Sequence, residues 1–170
     1  MTEVTVRRAR PDDLDFLLAL VNHADVEPYL GGRASRTREA LLDEIERSER
    51  DPAAFGRFVI DADGQPAGTM DFVRANERSR IARVGGFAVD PRFRGRGVGV
   101  EAARRFARHL LLDLDFHRLE LEIYGFNERA LRHAERAGFV REGVRRKAYR
   151  RNDQWVDGVI YGLVREDVED

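Results

Sequence analysis

The chain has 170 residues, a length typical of one domain, and it contains no cysteine. Disulfides, thiolate metal sites and a cysteine nucleophile are therefore excluded. The 30 basic and 31 acidic residues give a formal net charge of −1, which provides no overall attraction to nucleic acid. No basic, apolar leader opens the sequence, and the longest apolar run, residues 16–21, is too short to span a membrane. We therefore expect a single cytoplasmic domain over residues 1–170, with no membrane partner.

The first third of the chain predicts a strand followed by two helices. Residues 4–8 alternate apolar and polar side chains, as a half-buried strand does. Pro11 and the acidic residues after it open the first helix, and the second follows Ser35 or Thr37. The outer face of this second helix carries Glu39, Asp43, Glu44 and Glu46. We interpret these acids as a solvated face, with the attraction of a cationic amine as the alternative.

Three consecutive antiparallel strands are predicted next, at residues 55–61, 66–73 and 81–89. An Asp-Gly pair at position 63 is typical of the hairpin turn between the first two. Gly85 and Gly86 lie inside the third strand and predict a bulge or a splay there. A splayed strand leaves backbone N–H groups unpaired, and such groups could hold a thioester carbonyl.

A strand, a glycine-rich turn and a helix follow one another within residues 84–112. Pro91 ends the strand because proline has no N–H to donate. Gly95, Gly97 and Gly99 stand at every second position, and apolar residues recur at helical spacing from Val98 onward. Glycine lets a ligand come close to the backbone, and the first N–H groups of a helix attract anions. The stretch therefore predicts a phosphate site.

The spacing of these glycines excludes two common phosphate motifs. A P-loop requires Lys and then Ser or Thr after the glycines, and a dinucleotide fingerprint is one residue longer. Arg94-x-x-Gly97-x-Gly99 instead resembles the Arg/Gln-x-x-Gly-x-Gly/Ala signature of the GNAT N-acetyltransferases, whose loop holds the pyrophosphate of acetyl-coenzyme A. A glycine-rich surface turn without a ligand is the alternative.

The rest of the chain extends this resemblance. Residues 118–123 predict a strand parallel to the one before the helix, and Asn127 and Gly138 bound the next helix. Two long strands, at 139–149 and 155–164, complete the order β-α-α-β-β-β-α-β-α-β-β. This order resembles the GNAT acyl-CoA N-acyltransferase fold, an α/β architecture with a mixed sheet. The final strands resemble the branch of ribosomal-protein N-terminal and polyamine acetyltransferases.

The resemblance implies acetyl-coenzyme A as co-substrate and direct attack on it by an amine. The enzyme then supplies position, a hole for the oxyanion and routes for protons. By position, the backbone of residues 87–89 would grip the acetyl and pantetheine arm, residues 94–99 would hold the pyrophosphate, and Asn127 would contact the cofactor near the arm. The implied cofactor-binding residues are Phe87, Ala88, Val89, Arg94, Gly95, Arg96, Gly97, Val98, Gly99 and Asn127. No metal is implied, and the four histidines show no metal-ligand spacing.

The sequence does not assign the residues that act as general acid and general base. Many GNAT members carry a Tyr acid seven residues after the Asn, but Ala134 stands there, and the adjacent His133 points about 100° away on a helix. The strand before the loop lacks the Glu base that members often use. The candidate bases are Asp71, Glu122, Tyr149 and Asp157. We favour Tyr149 and Asp157 as catalytic, with a half-buried aromatic and a structural hydrogen-bond acceptor as the alternatives.

The absence of an obvious strong base favours an acceptor amine of low pKa. Presenting a lysine-like amine in neutral form at pH 7 costs about 4.6 kcal/mol, whereas a peptide α-amine costs only about 1–1.4 kcal/mol. The sequence thus predicts an N-acetyltransferase acting on a primary amine, on a peptide N-terminus or a small molecule. A non-catalytic coenzyme A-binding module is the alternative. A nucleic-acid partner is not expected, and the long terminal strands could pair two copies into a homodimer.

Overall fold

A computed structural model describes residues 1–32 and 34–169, and its elements follow the predicted order. The strands and α-helices are β1 (Val4–Arg8), α1 (Leu14–Val21), α2 (Arg38–Arg50), β2 (Phe55–Ala62), β3 (Gln65–Asn76), β4 (Ile81–Val89), α3 (Val98–Arg108), β5 (Arg118–Tyr124), α4 (Glu128–Arg136), β6 (Val140–Arg151) and β7 (Gln154–Val164). Pro11 opens a 3₁₀ turn that leads into α1, and Thr37 caps α2 by accepting a hydrogen bond from the Ala40 N–H. No helix in the described part of the chain is long and apolar enough to cross a membrane.

The strands form one mixed sheet in the order β1-β2-β3-β4-β5-β7-β6. Neighbouring strands are antiparallel except β4 and β5, which are parallel and are joined through α3. The predicted parallel pair and the mixed α/β fold are therefore confirmed. The strand β6 lies at one edge of the sheet, so one side of it has no neighbour within the described sheet.

Helices cover both faces of the sheet. Buried residues of α3 and α4 pack with one side of the sheet in a large apolar cluster, and residues of α1 and α2 form a second cluster on the other side. Leu119, Leu121 and Ile123 of β5 belong to the first cluster. Because side chains alternate along a strand, Glu120, Glu122 and Tyr124 point to the opposite side. We call the two sides the α3–α4 face and the α1–α2 face.

The predicted bulge in β4 is present. Thr69 pairs with Ala88, and Asp71 pairs with Gly85. Two residues of β4, Gly86 and Phe87, therefore lie opposite the one residue of β3 that stands between Thr69 and Asp71. Gly86 has φ +59, which a side chain rarely tolerates.

The acidic surface predicted for α2 is correct in part. Glu39, Asp43 and Glu46 are exposed, as a solvated face requires. The interpretation is wrong for Glu44, because its carboxylate accepts hydrogen bonds from Arg57 Nη2 at 2.6 Å and from the Ser35 hydroxyl at 2.6 Å. Glu44 points inward and not to solvent because Arg57, which is almost wholly buried on β2, needs a counter-ion.

Candidate active site

The parallel strands β4 and β5 separate after three residue pairs. The ladder joins residues 81–83 to 118–120, and beyond it residues 84–87 and 121–124 line opposite sides of a cavity of about 980 Å³. We call this space the wedge. Backbone groups that face it have no ladder partner across the gap, so they are free to bind a ligand. The splay predicted from Gly85 and Gly86 is therefore confirmed.

The glycine-rich turn after β4 presents the open start of a helix. Gly95 and Gly97 have φ +76 and +74, and a Cβ on either would meet nothing within 4 Å, so backbone conformation and not crowding requires glycine. Gly97 is the N-cap of α3 and has no side chain with which to cap it. The first N–H groups of α3 are thus available to an anion, and residues 95–99 fit the predicted pyrophosphate role.

The two arginine side chains of the turn are held by the protein itself. Arg94 Nη2 donates to the Asp25 carbonyl at 3.1 Å, and Arg96 pairs with Asp63 at 3.0 Å in the β2–β3 turn. The Arg96 guanidinium is therefore directed to the β2–β3 turn. Their contact with the cofactor remains a prediction.

The other predicted cofactor-binding residues divide into two groups. Phe87 and Asn127 line the cavity, and Asn127 also caps α4 by accepting a hydrogen bond from the Ala130 N–H at 3.2 Å. Ala88 is buried in the α1–α2 cluster, and Val89 packs against the α3–α4 cluster. Only the backbone of these last two residues could serve a ligand.

The helix α4 brings both Ala134 and His133 to the cavity. Ala134 is in the place where many members carry the Tyr acid, but it has no hydroxyl to offer. The expectation that His133 points away is wrong, because its ring lies 4.5 Å from the ring of Phe87 and lines the same cavity. Burial lowers the pKa of His133, which keeps the imidazole neutral at pH 7. The sequence carried no signal for this contact, which depends on how α4 docks beside β4.

A tyrosine and a glutamate meet on the α1–α2 face of the wedge. The Tyr149 hydroxyl donates to Glu122 Oε2 at 2.5 Å, and Arg145 Nη1 donates to the same hydroxyl at 2.9 Å. All three side chains line the cavity. Burial and the Glu122 carboxylate both raise the pKa of Tyr149, so its hydroxyl remains protonated at neutral pH.

Asp157 occupies a different position from Tyr149. Its carboxylate accepts the Lys147 N–H at 2.8 Å, at a shift in the register between β6 and β7, and it is not among the residues that line the cavity. Lys147 has φ +50, so Asp157 holds a strained bulge, and Arg145 and Tyr149 on either side of this bulge both contact Glu122. A catalytic role for Asp157 remains a prediction. Its contact with Lys147 fits the alternative, in which Asp157 is a structural hydrogen-bond acceptor.

Asp71 lies behind the bulge of β4. Its Oδ2 is 3.1 Å from Arg57 Nη2, while Glu44 takes the Nε and Nη2 hydrogen bonds of the same guanidinium. One buried arginine therefore serves two carboxyl groups. Burial raises the pKa of Asp71, with Arg57 opposing the shift. A side chain on Gly86 would clash with the Asp71 carboxylate, so glycine leaves room for this cluster.

The chain is similar to known acetyltransferases along most of its length. Residues 3–140 match the family described as "Acetyltransferase (GNAT) domain". The N-alpha-acetyltransferase RimI of Mycobacterium tuberculosis (strain ATCC 25618 / H37Rv) is 32% identical, with 75% of this chain and 88% of that protein covered. The L-amino acid N-acetyltransferase AaaT of Escherichia coli (strain K12) is 26% identical over 97% of this chain and 100% of that protein. The spermidine N-acetyltransferase from Vibrio cholerae, solved with CoA and spermine, shares the fold, with a TM-score of 0.84 at 22% identity and 96% of each chain covered.

Proposed function

The chain belongs to the acetyltransferase (GNAT) family and N-acetylates amines with acetyl-coenzyme A, and from that premise we propose that its acceptor is an α-amine and not a polyamine. The charge of the cavity wall carries this proposal. The charged side chains that line the cavity are Arg83, Arg145, Arg150, Arg151, Glu120 and Glu122. Four arginines against two glutamates repel an acceptor with several positive charges, whereas an α-amine brings one at most.

The ease of neutralising the amine supports the same acceptor. A peptide α-amine is made neutral at pH 7 for about 1–1.4 kcal/mol, so a partly paired carboxylate suffices as its base. Glu122 is such a group, because Tyr149 and Arg145 are its partners and it still faces the cavity. A polyamine nitrogen would need a stronger base or a wall of acidic residues.

We assign the proton transfers to the Glu122–Tyr149 pair. The Glu122 carboxylate accepts the proton that the attacking amine loses. The Tyr149 hydroxyl, kept protonated by its raised pKa, supplies one to the sulfur as the C–S bond breaks and the N–C bond forms. Tyr149 regains its proton from Glu122 through their hydrogen bond. The bound acetyl-coenzyme A supplies the thioester.

The cofactor-binding site that we propose consists mainly of backbone groups. The N–H groups at the start of α3 would hold the pyrophosphate, and the unpaired edge of β4 at residues 84–87 would hold the pantetheine arm. Phe87 and Asn127 line the path between them. The open space at Gly95 and Gly97 fits a bulky diphosphate there.

Release of free coenzyme A tests this proposal. Wild type is assayed with an N-terminal peptide, a free amino acid and spermidine, and we expect kcat/KM for an α-amine to exceed that for spermidine by at least about 10-fold. The variant Gly97→Glu should abolish release for every acceptor. The matched control Gly64→Glu replaces another glycine of positive φ, in the β2–β3 turn, and should remain active. Faster acetylation of spermidine would contradict the proposal, and cofactor binding without any turnover would favour the non-catalytic module.

We further propose that the enzyme acts as one cytoplasmic domain and pairs with a second copy along β6. An unpaired sheet edge is a ready surface for strand pairing, and Val140 and Val144 on β6 are 58% and 39% exposed. The balanced net charge argues against a nucleic-acid partner. Sedimentation velocity tests the assembly: we expect a dimer that Val144→Asp dissociates, and a wild-type monomer would contradict it.

A further inference from the structure

Arg151 is a cavity-lining arginine without a counter-ion. It is the last residue of β6, is partly buried and faces the wedge. Its Nη2 donates to the Pro28 carbonyl at 2.7 Å, and its guanidinium carbon lies 5.4 Å from the centre of the Tyr124 ring. Its Nε is buried and has no hydrogen-bond partner within residues 1–32 and 34–169, and no carboxylate in that part of the chain forms an ion pair with it.

The neighbouring arginines differ from Arg151 in this respect. Arg145 shares Glu122, Arg150 lies 3.4 Å from Asp153, and Arg83 is exposed to water. A guanidinium that is withdrawn from water is normally paired with an anion, because its desolvation is costly. The missing anion is therefore one that enters the cavity with a ligand.

We propose that Arg151 binds a carboxylate of the acceptor, so that the substrate is an α-amine with a carboxylate close to it. Free amino acids have this chemistry, and so do peptides with an acidic residue next to their N-terminus. Arginine suits the task because its planar fork matches a carboxylate in two parallel hydrogen bonds. This inference rests on the α-amine acceptor proposed above.

The position of Arg151 favours the acceptor over the cofactor as the source of the anion. Arg151 stacks on Tyr124, which points to the α1–α2 face together with Glu122. The start of α3, where an anionic cofactor fits, belongs to the helix layer on the other face. The anion at Arg151 is therefore expected on the same side of the sheet as the proposed proton-transfer pair.

Aromatic rings beside Arg151 suggest the side chain that the acceptor carries. The Tyr124 and Phe126 rings are stacked with centres 5.4 Å apart, and Tyr29 lies 6.2 Å from Phe126. Tyr29 and Phe126 are 48% and 41% exposed, which leaves apolar surface open next to the cavity. An amino acid with an aromatic side chain would cover this surface, so L-phenylalanine is a suitable probe.

The test compares L-phenylalanine with L-phenylalaninamide, which has the same amine and ring but no carboxylate. The amine of the amide loses its proton more easily, so the cost of neutralising the amine would by itself favour the amide. We expect wild type to prefer the acid in kcat/KM, and Arg151→Gln to lower kcat/KM for the acid by about 10- to 100-fold, mainly through KM, with little change for the amide. The dipeptides Phe-Asp and Phe-Asn, both amidated, extend the comparison to a side-chain carboxylate and distinguish the two sources.

Two further variants separate recognition from folding. Arg151→Lys keeps the charge and should retain part of the preference for the acid, which a variant that had lost its fold could not do. Arg146→Gln removes the same charge from an exposed position of β6 that does not line the cavity, and the preference should be unchanged.

Three results would overturn the inference. An Arg151→Gln variant that changes kcat/KM for the acid no more than for the amide refutes the carboxylate site while the α-amine proposal stands. A rise in the KM of acetyl-coenzyme A in Arg151→Gln, with no change for L-phenylalanine, assigns the arginine to the cofactor. Turnover of spermidine alone would refute both the inference and the α-amine acceptor.

Discussion

The two faces of the wedge differ in the chemical groups that they present to the cavity. On the α3–α4 face, Leu121, Ile123 and Ala134 present apolar surface, and the polar groups nearby are backbone N–H groups and the neutral imidazole of His133. On the α1–α2 face, Glu122 and Arg151 stand among charged and aromatic side chains. The first face suits one invariant ligand, because backbone groups and apolar surface depend little on side-chain identity. We expect the second face to discriminate among acceptors, because single charges would decide which amine fits.

This difference predicts that the charged face is the more fragile of the two. Arg57→Ala would leave the carboxyl groups of Glu44 and Asp71 without their shared counter-ion, and we expect a loss of about 3–5 kcal/mol in the free energy of unfolding. Chemical denaturation measures it. The control Arg38→Ala removes an exposed pair with Asp15 and should cost at most about 1 kcal/mol. A loss no larger than that of the control would show that the cluster is not a stabilising feature.

The proton-transfer assignment predicts a large change in rate without a change in cofactor binding. Tyr149→Phe should lower kcat by about 10²-fold, because it removes the acid and keeps the ring, while the KM of acetyl-coenzyme A stays within about twofold. Steady-state kinetics measures both. Tyr161→Phe deletes a hydroxyl that donates to Glu135 from a wholly buried ring and should lower stability and not kcat. Equal values of kcat for wild type and Tyr149→Phe would reject the assignment.

Asp71 predicts a particular dependence of stability on pH. Its pKa is raised in the folded state by burial, so the folded protein holds the proton more tightly than the unfolded chain does. Protonation of Asp71 contributes its full share to the free energy of unfolding below the ordinary pKa of 3.8. This contribution is lost as the pH rises through the raised pKa of the folded state. Asp71→Asn should therefore raise the melting temperature relative to wild type more at pH 8 than near the ordinary pKa of 3.8. An effect that is the same throughout this range, or larger at its acidic end, would contradict a raised pKa.

The smallest effect is expected on the apolar face. Ile123→Val shortens one side chain beside the wedge and should cost about 0.5–1.5 kcal/mol of stability. We expect a modest rise in the KM of acetyl-coenzyme A and an unchanged preference between L-phenylalanine and its amide. A change in acceptor preference would show that the two faces do not act separately.

Local patterns in the sequence were sufficient for the fold and for the backbone conformation of the glycine-rich turn. The glycines at 95 and 97 and the strand–turn–helix order are short-range features, and each has a direct backbone consequence: a positive φ or an open helix start. Gly85 and Gly86 likewise predicted the splay that forms the wedge. Alternation of apolar and polar residues at 4–8 likewise predicted the first strand, because the side-chain period of a strand is set by its geometry.

The acceptor side was decided by contacts between distant residues. Glu122 and Tyr149 are 27 positions apart, and they meet beside a bulge in β6 that Asp157 holds and that no local pattern announces. His133 reaches the cavity through the docking of α4. The fold places Arg151 against Tyr124 with no ion pair to any carboxylate of residues 1–32 and 34–169, which no local pattern announces. The sequence by itself determined the backbone architecture and the open helix start after β4, since these depend on near neighbours. Only the tertiary structure decided which charges are paired and which face the cavity, since pairing depends on distances across the sheet.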